Sequence, residues 1–153
     1  WVGADRSKSL GSMAHAARAA CPRALDGDQR PEPVEWRRTG DRVLKCDTAD
    51  HFLDHSWARG QDIAFDLAGF IDEWALDHAE RTRFLAAYVA ESGDSGATRR
   101  LPFFRCVYNA HRLAMLDTAY HAEANKGAGP VSAARQLAGE RLTAAVSPVP
   151  PCG

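Results

Sequence analysis

The residues able to do chemistry crowd into two short stretches. Residues 46 to 55 read CDTADHFLDH, which sets Asp47, Asp50 and Asp54 beside His51 and His55. Residues 26 to 33 read DGDQRPEP, with Asp26 and Asp28 in a Gly/Pro loop and Glu35 just beyond. Sparse carboxylates suit Mg²⁺, which takes oxygen ligands and needs few of them from protein. His51 and His55 stand at i and i+4, one face of a helix. With Asp47, Asp50 or Asp54 they would form a His/carboxylate set for Zn²⁺ or Fe²⁺. The first chemistry is phosphoryl transfer. The second is a metal-dependent hydrolase or oxidase, a weaker reading because His78, His111 and His121 stand apart from one another and from that pair.

What must position these acids is the run between them, VEWRRTGDRVLKCD. Val34 and Trp36 lead into one strand, Thr39, Gly40 and Asp41 supply turn chemistry, and Val43 and Leu44 lead a second strand. Antiparallel pairing brings the outer ends of a hairpin together, so Asp28 and Asp47 are expected in one region. There one carboxylate can accept a proton from an attacking hydroxyl while the other holds Mg²⁺ on a triphosphate.

Helices surround the hairpin. An Ala-rich segment over residues 5 to 20 ends before Pro22. Ile63, Leu67, Phe70, Ile71 and Trp74 recur along one face of a buried helix. Phe84, Leu85, Tyr88 and Val89 mark another, starting near Asp77. ESGDSGATRRLP reads as a solvated loop. A long helix is expected from Leu101 to about Glu123, NKGAGP breaks it, and a last helix carries Val131, Ala134, Leu137, Ala138 and Leu142. The fold class is α+β, mostly α: one domain over residues 1–146 and an extended tail over 147–153.

Bland roles compete with the sharp ones. Asp is a common turn former, which alone would explain Asp28. Asp47 would serve as a helix N-cap. Asp66 lies in the apolar run IAFDLAGF, where a carboxylate needs hydrogen-bonding partners. Trp36, Trp57 and Trp74 read as core.

Composition excludes some functions. With 19 basic and 20 acidic residues and a formal net charge of -1, there is no electrostatic case for nucleic acid or an anionic membrane. No apolar run is long enough to span a bilayer. The four cysteines are scattered, with no close pair for zinc and no dense disulfide framework, which fits a cytoplasmic protein.

Three motifs carry a resemblance. DGDQRPEP at 26 to 33, RVLKCD at 42 to 47 and GQDIAFDLAG at 60 to 69 together resemble the C-terminal lobe of the aminoglycoside phosphotransferase and choline kinase superfamily, which has a protein-kinase-like fold. That family reads His-Gly-Asp-x-x-Pro-x-Asn, then a hairpin, a metal-binding Asp, and Gly-x-Asp-x-x-x-Asp-Leu-Ala at a helix start. The resemblance implies ATP-dependent phosphorylation of a small hydroxyl-bearing substrate, with Mg²⁺ bound to the nucleotide. Asp28 would be the catalytic base, Asp47 the metal ligand, and Asp66, in register with Asp62, a structural support of the catalytic loop. Asp26 stands where the family has His, and Pro33 where it has a metal-binding Asn; Glu35 is a substitute ligand. Counting back from Asp62 and Asp66 makes Asp54 the metal ligand instead, whereas the hairpin exit favours Asp47. The chain starts at Trp1 and shows no phosphate-covering loop or strand lysine ahead of Asp26. It is therefore expected to be a C-terminal portion of a longer kinase or a decayed relative. Such a chain would be inactive alone and would self-associate through the face a nucleotide lobe would cover. A helical interaction module without catalysis is the third reading.

Overall fold

The computed structural model describes residues 4–20, 24–25, 31–46, 61–123 and 129–147. In chain order they form α1 (Ala4–Ala19), β1 (Ala24–Leu25), a 3-10 turn (Pro33–Glu35), β2 (Trp36–Thr39), β3 (Arg42–Lys45), β4 (Gln61–Asp62), α2 (Ala64–Glu73), α3 (His78–Ser92), α4 (Ala97–Glu123) and α5 (Gly129–Val146). The mostly helical α+β class read from the sequence is the observed one.

The hairpin β2–β3 pairs antiparallel from Trp36 opposite Lys45 to Thr39 opposite Arg42. Its turn uses Gly40 at φ +60°, a conformation that costs glycine nothing. The hairpin is seated by Trp36, whose ring meets Phe70 and Trp74 edge-on at 5.9 and 6.2 Å. Strand β1 pairs with β4, Ala24 opposite Asp62 and Leu25 opposite Gln61, a long-range link across the hairpin.

Helix α2 is the hub. Phe65, Leu67, Ala68 and Ile71 are buried and pack against Ala97, Leu101 and Tyr108 of α4. The periodicity had marked one face, Ile63 to Trp74. Phe65, off that stripe, is fully buried as well, because α2 meets neighbours on nearly every side. Gly69 is demanded by this closeness: a Cβ there would lie 2.5 Å from the Tyr108 ring and 2.7 Å from Pro31. Helix α3 starts on a capping box, Glu80 N donating to Asp77 Oδ1 at 2.8 Å and Asp77 N to Glu80 Oε2 at 3.0 Å. It stops at Gly93, φ +69°.

The expected loop from 91 to 102 is shorter in fact. Helix α3 continues to Ser92, and α4 begins at Ala97 with Pro102 inside it. Proline this near a helix start removes only the hydrogen bond to the exposed Thr98 turn, which water can replace. Helices α1 and α5 pack on the other side of α4, burying Ala17, Ala138, Val146 and Cys106. No helix among the described residues is long and apolar enough to cross a membrane.

Candidate functional site

Asp28, Asp47, Asp54, His51 and His55 lie outside the described residues. The residues that flank them are described, and they converge. The segment 26–30, which holds Asp28, leaves from Leu25, paired with Gln61 of β4. It rejoins at Pro31, whose carbonyl accepts a 2.9 Å hydrogen bond from Trp74 Nε1 at the end of α2. The segment 47–60 leaves from Cys46, whose amide donates to Glu35 O at 2.8 Å beneath the hairpin. It rejoins at Gln61, in the same β1–β4 pair. Both acid-bearing segments are thus tied at their two ends to the platform made by β4, α2 and the hairpin base.

Asp62 sits on that platform. It is buried, accepts the Ala64 amide at 2.8 Å, and pairs with Arg100 Nε at 2.9 Å. The first bond starts α2, and the second ties β4 to α4. Asp66 lies half-buried in the first turn of α2, where a carboxylate is favoured by the helix dipole. Glu35 ends the 3-10 turn and forms an ion pair with Lys45 across the hairpin. The Lys45 ammonium also lies 5.9 Å from the Trp36 ring centroid. The 3-10 turn and the hairpin expose apolar side chains, with Val34 72% and Val43 57% exposed.

The composition of ESGDSGATRRLP puts Arg100 and Asp94 in a solvated loop. The structure makes Arg100 the most buried charge described, with no exposed surface. Its guanidinium donates to Asp94 Oδ1 at 3.0 Å, Asp94 Oδ2 at 2.5 Å and the carbonyl of Ala20 at 3.2 Å. These bonds join the end of α1, β4 and the α3–α4 turn. The hydrogen bond from Arg100 holds the Asp94 carboxyl below the usual range, and Asp94 in turn raises Arg100. Gly96 leaves room for this: a Cβ there would lie 2.5 Å from Ala20 O.

A second polar cluster joins α2 to α4. Tyr108 donates to Glu73 Oε1 at 3.0 Å, Arg112 Nε donates to the same oxygen at 3.1 Å, and Arg112 Nη1 lies 3.2 Å from Glu32 Oε1. Burial pushes the Glu32 carboxyl up, and its Oε2 is buried with no hydrogen-bond partner among the described residues. Burial, with Glu73 and Glu32 nearby, also raises the Tyr108 phenol. Next to it, Asp72 accepts from Asn109 Nδ2 at 2.6 Å and from Arg105. The spacing Arg105, Asn109, Arg112 along α4 was the available signal for this polar seam, since i+4 and i+7 share a face. Cys46 and Cys106 are free thiols. No set of three metal-binding side chains occurs among the described residues.

No family model, no curated protein and no solved structure matches the chain.

Proposed function

We propose that the chain is the acid-bearing, mostly helical lobe of an ATP-dependent small-molecule phosphotransferase that phosphorylates a hydroxyl with Mg²⁺. The observation that carries the reading is that the described residues flanking both acid-bearing segments, Leu25, Pro31, Cys46 and Gln61, are tied to one platform. Asp28 and Asp47 belong to segments whose ends meet at β1–β4 and at the hairpin base, and acid pairs in phosphoryl transfer need such closeness. In this reading Asp28 orients and deprotonates the acceptor hydroxyl. Asp47, with Asp54 as the competing candidate, holds Mg²⁺ on the nucleotide. Asp62 from β4 and Asp66 from α2 support the loop. The exposed Val34 and Val43 are apolar surface on which a nucleotide base could rest. A cytoplasmic location, where ATP is abundant, belongs to the same reading.

The ion pair with Lys45 already neutralises Glu35, which favours Asp47 and Asp54 over Glu35 as metal ligands. Among the described residues ahead of Asp26 there is only α1 and the short β1. The test is calorimetric binding of ADP, with and without Mg²⁺, to the full natural polypeptide that carries these residues. Asp47→Asn should weaken binding only when Mg²⁺ is present. Equal binding by Asp47→Asn and Asp54→Asn at every Mg²⁺ concentration, or stoichiometric zinc or iron in the purified protein, would contradict the reading.

A further inference from the structure

On the side of α4 away from α2, the helices α1, α4 and α5 enclose a cleft of about 370 Å³. Its walls are Leu10 of α1, Phe103, Val107 and Ala110 of α4, and Leu142 and Val146 of α5. The spacing 103, 107, 110 puts the α4 residues on one face, and 142 and 146 stand one turn apart on α5. Cys106 is also on the wall, and burial raises its thiol, so it stays neutral and acts as apolar surface. Well-packed interiors leave few voids larger than water. Clefts of roughly 300–1,000 Å³ lined by apolar groups with a few placed polar ones are the usual form of a small-molecule site.

Two polar groups stand on this wall, Thr143 and Arg6. Arg6 is half-buried, and neither an ion pair nor a hydrogen bond engages its guanidinium among the described residues. It lies in the first turn of α1, where the helix end adds further positive character. A partly desolvated, unpaired guanidinium beside an apolar cavity favours a ligand with one negative charge and an apolar body. The planar fork of arginine matches a carboxylate through two parallel hydrogen bonds. The exposed Ala110 and Thr143 leave the cleft open to solvent at one side.

We propose that this cleft binds an apolar monocarboxylate, its chain among Leu10, Phe103, Val107 and Leu142 and its carboxylate on Arg6. The site is separate from the phosphoryl-transfer platform, and the proposal does not depend on that reading.

The test is calorimetric titration of the full chain with decanoate and with decanol, each below the concentration at which it self-associates. Decanoate should bind at one per chain, and decanol about tenfold or more weakly, the scale of one charge-assisted pair. Arg6→Gln should bring decanoate down to the affinity of decanol and leave decanol unchanged. Ala110→Trp, at an exposed wall position that tolerates bulk, should abolish binding of both. Circular dichroism and melting confirm that both variants fold. Absence of decanoate binding overturns the proposal. So does decanol binding as tightly as decanoate, or either variant binding decanoate like the parent chain.

Discussion

Arg100 Nε lies 2.9 Å from Asp62 Oδ2, with 0% of the arginine side chain and 5% of the aspartate side chain exposed. This pair ties the strand that opens the candidate site to the helix that forms the back of the core. Removing one partner of a buried pair leaves the other charged and desolvated. Arg100→Ala should therefore destabilise the fold by about 3–5 kcal/mol, measured by denaturant unfolding. Arg100→Met, which refills the volume but still strands Asp62 and Asp94, should also destabilise. The double variant Arg100→Met with Asp62→Asn should recover part of the loss. Additive losses would show that the two groups are not coupled.

The same arginine sets an acid limit. It holds the Asp94 carboxyl below its ordinary value, so the native state favours the charged form. That stability is present above the unfolded carboxyl range and is lost as pH falls through the depressed native value. Asp94→Asn should flatten the acid side of the pH–stability curve, followed by thermal melting between pH 3 and 6, a range set by the roughly 3.9 reference value of Asp.

Glu32 has the opposite sign. Burial raises its carboxyl, so the native state favours the protonated form. Its contribution is fully present below the unfolded value and is lost as pH rises through the raised native one. Glu32→Gln fixes a neutral group of the same shape. It should raise the melting temperature at pH 8 relative to the parent chain and change it little at pH 4. A loss at pH 8 would mean that the charge on Glu32 is needed opposite Arg112.

Helix α2 ends with Ala75 at φ +51°, with Ala75 N donating to Asp72 O at 3.3 Å and Leu76 N to Ile71 O at 3.0 Å. This is the paired-bond helix stop that usually carries glycine. Ala75→Gly should stabilise the protein by about 0.5–1 kcal/mol, since relief of the left-handed strain exceeds the added chain entropy. Gly69→Ala should do the reverse, because its new Cβ meets the Tyr108 ring at 2.5 Å. Both effects are readable in one set of urea midpoints.

Much of the fold was legible because its signals are local. The Thr39-Gly40-Asp41 turn, the Asp77 cap and the apolar stripe ending at Trp74 each act within a few residues, and each produced the element expected. The polar framework was not legible, because its partners are far apart in sequence. Arg100 meets Asp62 across 38 residues and the Ala20 carbonyl across 80. Nothing in TRR or ESGD distinguishes such an arginine from a solvated one. Pro102 added a false boundary, hiding the first turns of α4. At the candidate site, the spacing GQDIAFDLAG placed Asp62 and Asp66 at the entrance to α2. That Asp62 would face an arginine from α4 had no sequence signal. Asp28, Asp47, Asp54, His51 and His55 lie outside the described residues, so their roles rest on the motifs and on the flanking geometry.

The most direct measurement is transfer of labelled γ-phosphate from ATP to a panel of small hydroxyl compounds by the full natural polypeptide, with Mg²⁺ present or chelated. Mg²⁺-dependent transfer should appear for the parent, and Asp28→Asn should lower kcat by about 10²–10⁴-fold, the usual scale of a lost general base. The nucleotide affinity of that variant should be unchanged. Transfer that persists at the parent rate in Asp28→Asn, or no Mg²⁺-dependent transfer to any acceptor, would contradict the assignment of this chain to phosphoryl transfer.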